Sequence, residues 1–315
     1  GYGGLTRYDG NEFKSCGGSR ISNVSDLLSA KDGVLWIAST DCGLVRYEND
    51  TFTFYSDLDQ EQIPEEVSYL AEAPDGRIYM TSELGLSYVD TDGEVFTYPD
   101  PIFIDDRITD VACGKQGEAL CLTQSGLVYA CGDDIRQVEI ILEDDKLRCM
   151  DYDDGSGQFY FGTEKNTVLV YDSDYHECER FEVEDIMSIN DFGFKEDGKQ
   201  IFICSDAGVS LLQDGRADYQ NLKVKNSVEE ILIDRDGNMW FASSIQGGLL
   251  VTKGRFKDVN LLGKHEQFVT NAIVYEDGRL LIGHDAGFII LDEKTYEKIE
   301  DERYTENLDG KRIRA

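Results

Sequence analysis

The stretch "DRDGNMWFASSIQGGLLV", from Asp234 to Val251, restates "AKDGVLWIASTDCGLVRY", which runs from Ala30 to Tyr47. Self-similarity at a fixed period constrains a chain more than any local propensity, because each copy must form one supersecondary unit that its neighbours cover. The turn glycine recurs at Gly33, Gly76, Gly117, Gly157, Gly198, Gly237 and Gly278, at intervals of 39 to 43 residues. Each copy has the same grammar: a β-rich run such as "VSDLLSA", an Asp-Gly or close relative, then a second run such as "VLWIAST". A second glycine follows at Gly43, Gly85, Gly126, Gly208, Gly248 and Gly287 and opens a third run such as "GLVRY". Copy four departs, with "EKNTVLVY" where that glycine belongs. A more polar fourth run closes the copy, as in "TFTFYS", "EVFTYP", "RFKDVNL" and "TYEKIED".

Asp-Gly between two alternating runs is a hairpin signal, since glycine takes a positive φ without a Cβ clash. Four short antiparallel strands per copy, four prolines in all and no sustained helical period predict an all-β fold, a β-propeller of four-stranded antiparallel blades. The spacing reads as a seven-bladed ring over residues 20–303, with blades at about 20–60, 61–103, 104–142, 143–184, 185–223, 224–263 and 264–303. Residues 1–19 match the third and fourth strands of a preceding or closing blade, because "GGLTRYDG" aligns with "CGLVRYEN". Residues 304–315 read as the opening of a further, truncated blade. An eight-bladed ring closed between the two termini is the alternative. Without an initiating Met, and ending at "GKRIRA", the sequence reads as a piece of something longer.

Composition narrows the partners. Sixty-three acidic residues against 30 basic ones give a net charge of −33, which repels phosphate backbones and anionic lipid and argues against nucleic-acid binding. The eight cysteines include no C-x-x-C pair, and several lie in apolar runs such as "QIFICSD", where a thiol acts as a small hydrophobe; a local disulfide is the alternative. No stretch approaches the roughly 20 apolar residues that span a bilayer, and the N-terminus lacks the regions of a signal peptide.

The wording "DG-x-x-W-I-x-S/T-x-x-G-L", sharpest at residues 21–55 and 228–251, resembles the two-component-regulator propeller repeat. Copies three to five lack the Trp and drift from it. The resemblance implies the extracytoplasmic, periplasmic or cell-surface sensor domain of a membrane-spanning receptor, often with two propellers in series. A transmembrane helix and a histidine kinase or diguanylate cyclase would lie downstream of Ala315, the receptor would be a homodimer, and this part would not itself be an enzyme. A secreted propeller lyase or hydrolase related to streptogramin lyase, which carries a related "DG-x-x-W" repeat, is the enzymatic alternative. A passive protein-interaction scaffold is a further one.

The chemistry is sought where a propeller gathers side chains, around its central channel. The third residue of each first run is Asp26, Tyr69, Asp110, Cys149, Asp191, Glu230 or Asn271, and such a ring would line the channel. Arg148 is the lone base beside them, suited to a ligand carboxylate or sulfate because its planar fork matches two oxygens. The turn before the second glycine carries Asp41, Glu83, Gln124, Glu164, Asp206 and Asp285, with Ile245 the exception. Exposed turns favour acids in any case; the functional reading is a polyhydroxyl ligand, a small molecule or saccharide, or a hard cation such as Ca²⁺. No catalytic residue, metal centre or other cofactor is assigned. Of the three histidines, His176, His265 and His284, only the last two could meet near the channel mouth, and the enzymatic alternative needs them.

Overall fold

The computed structural model describes residues 4–8, 12–60, 63–98, 100–195, 200–213, 215–220, 227–252, 270–276, 278–284, 287–292 and 298–299. The chain divides into two compact units, Gly1–Thr252 and Lys253–Ala315. The first opens with a hairpin, β1 (Leu5–Tyr8) and β2 (Phe13–Cys16), and continues as blades. Blade one is β3 (Val24–Ser29), β4 (Leu35–Ser39), β5 (Gly43–Glu48) and β6 (Thr51–Phe54). Blade two is β7 (Val67–Glu72), β8 (Ile78–Ser82), β9 (Gly85–Val89) and β10 (Val95–Thr97). Blade three is β11 (Ile108–Cys113), β12 (Ala119–Thr123), β13 (Val128–Cys131) and β14 (Ile135–Val138). Blade four is β15 (Leu147–Asp153), β16 (Gln158–Thr163), β17 (Thr167–Tyr171) and β18 (Glu177–Glu182). Blade five is β19 (Ile189–Phe194), β20 (Gln200–Ser205), β21 (Gly208–Gln213) and β22 (Arg216–Gln220).

Blade six has three described strands, β23 (Glu230–Ile233), β24 (Met239–Ser243) and β25 (Gly247–Val251). In the second unit β26 (Thr270–Glu276), β27 (Arg279–His284) and β28 (Gly287–Asp292) form one three-stranded sheet. Among the described residues every sheet is an antiparallel meander, so the fold is the all-β propeller of four-stranded blades that the repeat predicts. The fourth run "RFKDVNL", most of "TYEKIED" and residues 304–315 lie outside the described residues.

First strands β3, β7, β11, β15, β19 and β23 stand side by side in chain order. A separate apolar cluster fills each joint between consecutive blades. Trp36, Leu44, Val67 and Met80 join blades one and two, and Leu120, Leu122, Met150 and Phe161 join three and four. Both faces of a blade are apolar, so a blade is stable only between neighbours.

One helical turn, α1 (Ile102–Asp105), interrupts the all-β pattern in the link between blades two and three. Pro101 begins it with φ −67°, and the turn drives Phe103 into the joint beside Tyr129. Asp100 Oδ1 accepts the Ile102 N–H at 3.0 Å and so caps the start of the turn, and packing of Phe103 adds to that local signal.

The two recurring glycines answer different demands. Gly33 has φ +89° with open space where a Cβ would stand, whereas Gly43 has φ +71° and a Cβ there would meet the Pro64 carbonyl oxygen at 2.7 Å. Gly33→Ala should therefore cost only the backbone penalty of about 1–2 kcal/mol, and Gly43→Ala clearly more. Thermal unfolding of the two variants checks the order, and equal losses would refute it.

Candidate functional site

In this meander the first strand begins on the face where inter-blade links and second-to-third turns gather, here termed the link face. Five of the six first strands in the first unit, β3, β7, β11, β15 and β19, start with an irregular register against the second strand. The bulge frees backbone N–H groups from the ladder. In blades one, three and five an aspartate takes them up.

Asp26 accepts the N–H of Leu27 (2.6 Å) and, across the joint, that of Leu70 in blade two (2.8 Å). Asp110 accepts Val111 N–H (2.8 Å) and Met150 N–H of blade four (2.8 Å). Asp191 accepts Ile231 N–H of blade six at 2.8 Å. These carboxyls thus couple blades in pairs, one to two, three to four and five to six. Tyr69 and Cys149 hold the same level in blades two and four.

A cavity of about 560 Å³ runs along the six first strands. Asp26, Tyr69, Asp110, Arg148, Asp191 and Glu230 all line it, as the sequence predicts, and Cys149 lines it too. Three acidic or amide contributors escape the sequence reading. Asp151 lies two residues beyond Cys149 on the same strand face, Asn190 directly precedes Asp191, and Glu229 precedes Glu230. Period-two alternation along β15 was the available signal for Asp151.

Burial decides the ionisation of this ring. It pushes Asp110 up to about 8 and Asp151 up to about 7, against the backbone N–H bonds that each accepts. Burial also raises Asp191, aided by the charge of Asp151, and raises Asp26 and Glu230. The Cys149 thiol is pushed well above its ordinary range by burial beside Asp110, which disfavours the thiolate a nucleophile would need.

Arg148 stands at the joint of blades four and five. Its Nε donates to Asn190 Oδ1 at 2.8 Å, and its Nη2 lies 3.9 Å from Asp206 Oδ1. Burial opposes the charge on Asp206, but donors on Asn190 (3.0 Å) and Ser227 (3.1 Å), with Arg148 nearby, hold it below the usual carboxylate range.

The turn acids fasten the links rather than line the cavity. Asp41 accepts from Ser22 Oγ (2.6 Å) and Asn23 Nδ2 (2.7 Å), which lower its pKa, and Glu83 accepts the N–H groups of Glu65 and Glu66 at 2.8 and 3.0 Å. Glu164 lies 3.7 Å from Lys146. The hydroxyls at the ends of the second runs, unremarked in the sequence, organise the same turns. Ser39 Oγ accepts the N–H groups of Asp41 and Cys42 and donates to Ser22 O, and Thr163 Oγ1 accepts Thr167 N–H. Recurrence of Ser or Thr in "IAST", "YMTS", "FGTE" and "ICSD" was the signal.

Asn271 and His284 lie in β26 and β27 of the second unit with undescribed side chains, and Asp285 and His265 lie outside the described residues. His176 is exposed on a turn, 3.5 Å from Asp172. All eight cysteines are free thiols, so the local disulfide is absent; Cys121, Cys131, Cys149 and Cys204 serve as small core residues, whereas Cys178 is exposed. Among the described residues no three His, Cys, Asp or Glu side chains gather as a metal site, and no helix is long and apolar enough to cross a membrane.

No protein-family model matches the sequence, and no curated protein matches it. Solved structures do. The extracellular domain of the putative hybrid two component system BT4673 from B. thetaiotaomicron superposes with a TM-score of 0.62 at 14% identity, over 95% of this chain and 43% of that one. Its fold is that of these extracellular propellers. The corresponding domain of BT3049 gives 0.62 at 16% identity, over 94% of this chain and 44% of that one. The chain thus spans about half or less of the length of these domains, and both are of the kind that its repeat resembles. Virginiamycin B lyase from Staphylococcus aureus, in a structure with quinupristin, gives 0.60 at 12% identity, over 85% of this chain and 93% of the lyase.

The raised carboxyls give stability a definite pH sign. A folded Asp110 near 8 keeps a proton that the unfolded chain, with the ordinary value of 3.8, releases. Its contribution is full below about pH 4 and is lost as pH rises through about 8. Melting temperatures across pH 5 to 9 should therefore fall, and Asp110→Asn should flatten the fall. A variant whose melting curve keeps the whole pH dependence would refute the assignment.

Proposed function

We infer that this chain is the ligand-sensing head of a longer, extracytoplasmic signalling receptor. It binds a small molecule or saccharide at the link-face mouth of the channel. The observation that carries the reading is the polar cavity shared by six first strands, with one guanidinium at its rim. The likeness to extracellular domains of hybrid two component systems supports the setting. Polar groups convergent on a pocket are the ordinary form of a ligand site.

The ring of the first unit has seven positions in this reading. Hairpin β1–β2 takes the seventh, since Leu5 joins the Ile21, Ile37 and Val45 cluster on blade one while the Tyr8 ring stands 5.7 Å from Trp240 of blade six. Carboxyls at Asp110, Asp151 and Asp191, all shifted by burial toward the protonated form, face ligand hydroxyls, and Arg148 takes a carboxylate, sulfate or hydroxyl pair. A hard cation such as Ca²⁺ would need these carboxyls ionised, which burial opposes. Signal output through a membrane helix and a kinase or cyclase, in a homodimer, then requires that the ligand favour one arrangement of the receptor.

A screen of saccharides and small acids by thermal shift on the 315-residue chain tests the reading. Arg148→Ala should weaken the ligand found by about 10- to 100-fold, the worth of a charge-assisted hydrogen bond. A full receptor whose output ignored deletion of residues 1–315 would overturn it.

The enzymatic reading rests on the likeness to virginiamycin B lyase. Incubation of the chain with quinupristin should leave the compound unchanged in chromatographic retention and fragmentation pattern; turnover to an isomer of the same mass would replace the sensor reading with a lyase.

A further inference from the structure

Phe96 breaks the rule of its position. Register through each sheet aligns Trp36, Arg46 and Thr53 in blade one with Tyr79, Tyr88 and Phe96 in blade two. Along the same row the fourth-strand residue is Arg136 in blade three, Glu179 in blade four and Asp218 in blade five. Polar residues suit this outermost strand, which faces solvent. Phe96 is 41% exposed there, so it contributes little to the core that holds the blade.

The surroundings of Phe96 are built as a cleft. Its ring stacks on Tyr88 at 5.2 Å and 21°, and Tyr88 meets Tyr98 edge-on at 6.0 Å. The Arg77 guanidinium lies 5.3 Å from the centre of the Tyr88 ring, held by a 2.8 Å bond from Nε to Asp75. Blade three supplies the opposite wall. There Glu118 is fixed by two bonds from Arg136 (2.8 and 2.7 Å) and one from Tyr175 Oη (3.0 Å), and the Tyr98 hydroxyl donates to Gly132 O across the joint at 3.3 Å. The space between the walls is about 570 Å³, with Thr97 and Asp133 also facing it. Both walls are tied down before any ligand arrives, so little ordering would oppose binding.

We propose that this cleft between blades two and three is a second ligand site, separate from the channel, that holds a pyranose unit of an oligosaccharide. A pyranose has an apolar C–H face and a rim of hydroxyls. The open face of Phe96 suits the first, and Arg77, Asp133 and the carboxylate edge of Glu118 suit the second. A purely apolar ligand would strip water from those charged groups without replacing its hydrogen bonds. An anion would meet Glu118 and Asp133. The site lies beside the turns that follow the first and third strands, on the face opposite the link face, and it stands whether or not the channel binds anything.

Malto-, cello-, xylo- and mannohexaose, offered singly to the 315-residue chain and read by saturation-transfer NMR and calorimetry, provide the test. At least one should bind, and Phe96→Thr, the residue blade one carries in the same row, should weaken it about tenfold or more through loss of ring contact. Asp133→Ala should weaken the same ligand with an unchanged melting temperature. No binding by any of the four sugars, or wild-type affinity in Phe96→Thr, would overturn the proposal.

Discussion

A sheet that is apolar on both faces cannot exist alone in water, and every other feature of this chain follows from that constraint. Each blade buries Val, Leu, Ile and aromatic side chains against the next, as Phe161 and Leu120 do between blades three and four. The strongly acidic surface is compatible with such a core because the apolar clusters of the joints exclude the acids, which lie on turns, on outer strands and along the channel. Self-repulsion at −33 is the condition under which the joints must hold.

The channel arises as a by-product of that packing. First strands approach one another edge to edge without pairing, so their bulged ends hold backbone N–H groups with no ladder partner. Aspartate at the third position meets two such donors at once. The groups that the sequence marks as channel-facing therefore also hold the blades together, and burial shifts their carboxyls toward the protonated form. In the proposed site, binding and stability would draw on the same atoms.

The repeat made much of this legible. The glycines locate the hairpin turns, and counting three residues into each first run locates Asp26, Asp110 and Asp191, because side chains alternate with period two. What those aspartates bond was not legible, since Leu70, Met150 and Ile231 become their neighbours only once blades stand side by side. Arg148 could be singled out as the lone base, but its partner Asn190 sits in the next repeat. The helical turn at Ile102–Asp105 was overlooked although Asp100 and Pro101 form a local start signal for it; the joint that Phe103 fills was not legible. Phe96 was overlooked for a different reason: in a β-rich run an aromatic looks ordinary until its row in the other blades is known to be polar.

The carboxylate couplings do not run evenly around the propeller. Asp26, Asp110 and Asp191 clamp every second joint, so the carboxyl bonds group the blades in three doublets, and the seams between doublets, at Tyr69 and at Cys149, lack that clamp. Arg148 spans the second of these seams through Asn190. A ligand that drew the guanidinium away from Asn190 would act on a hinge rather than on a clamp, and a bond made at the mouth of the channel would be felt as a change in the angle between two doublets.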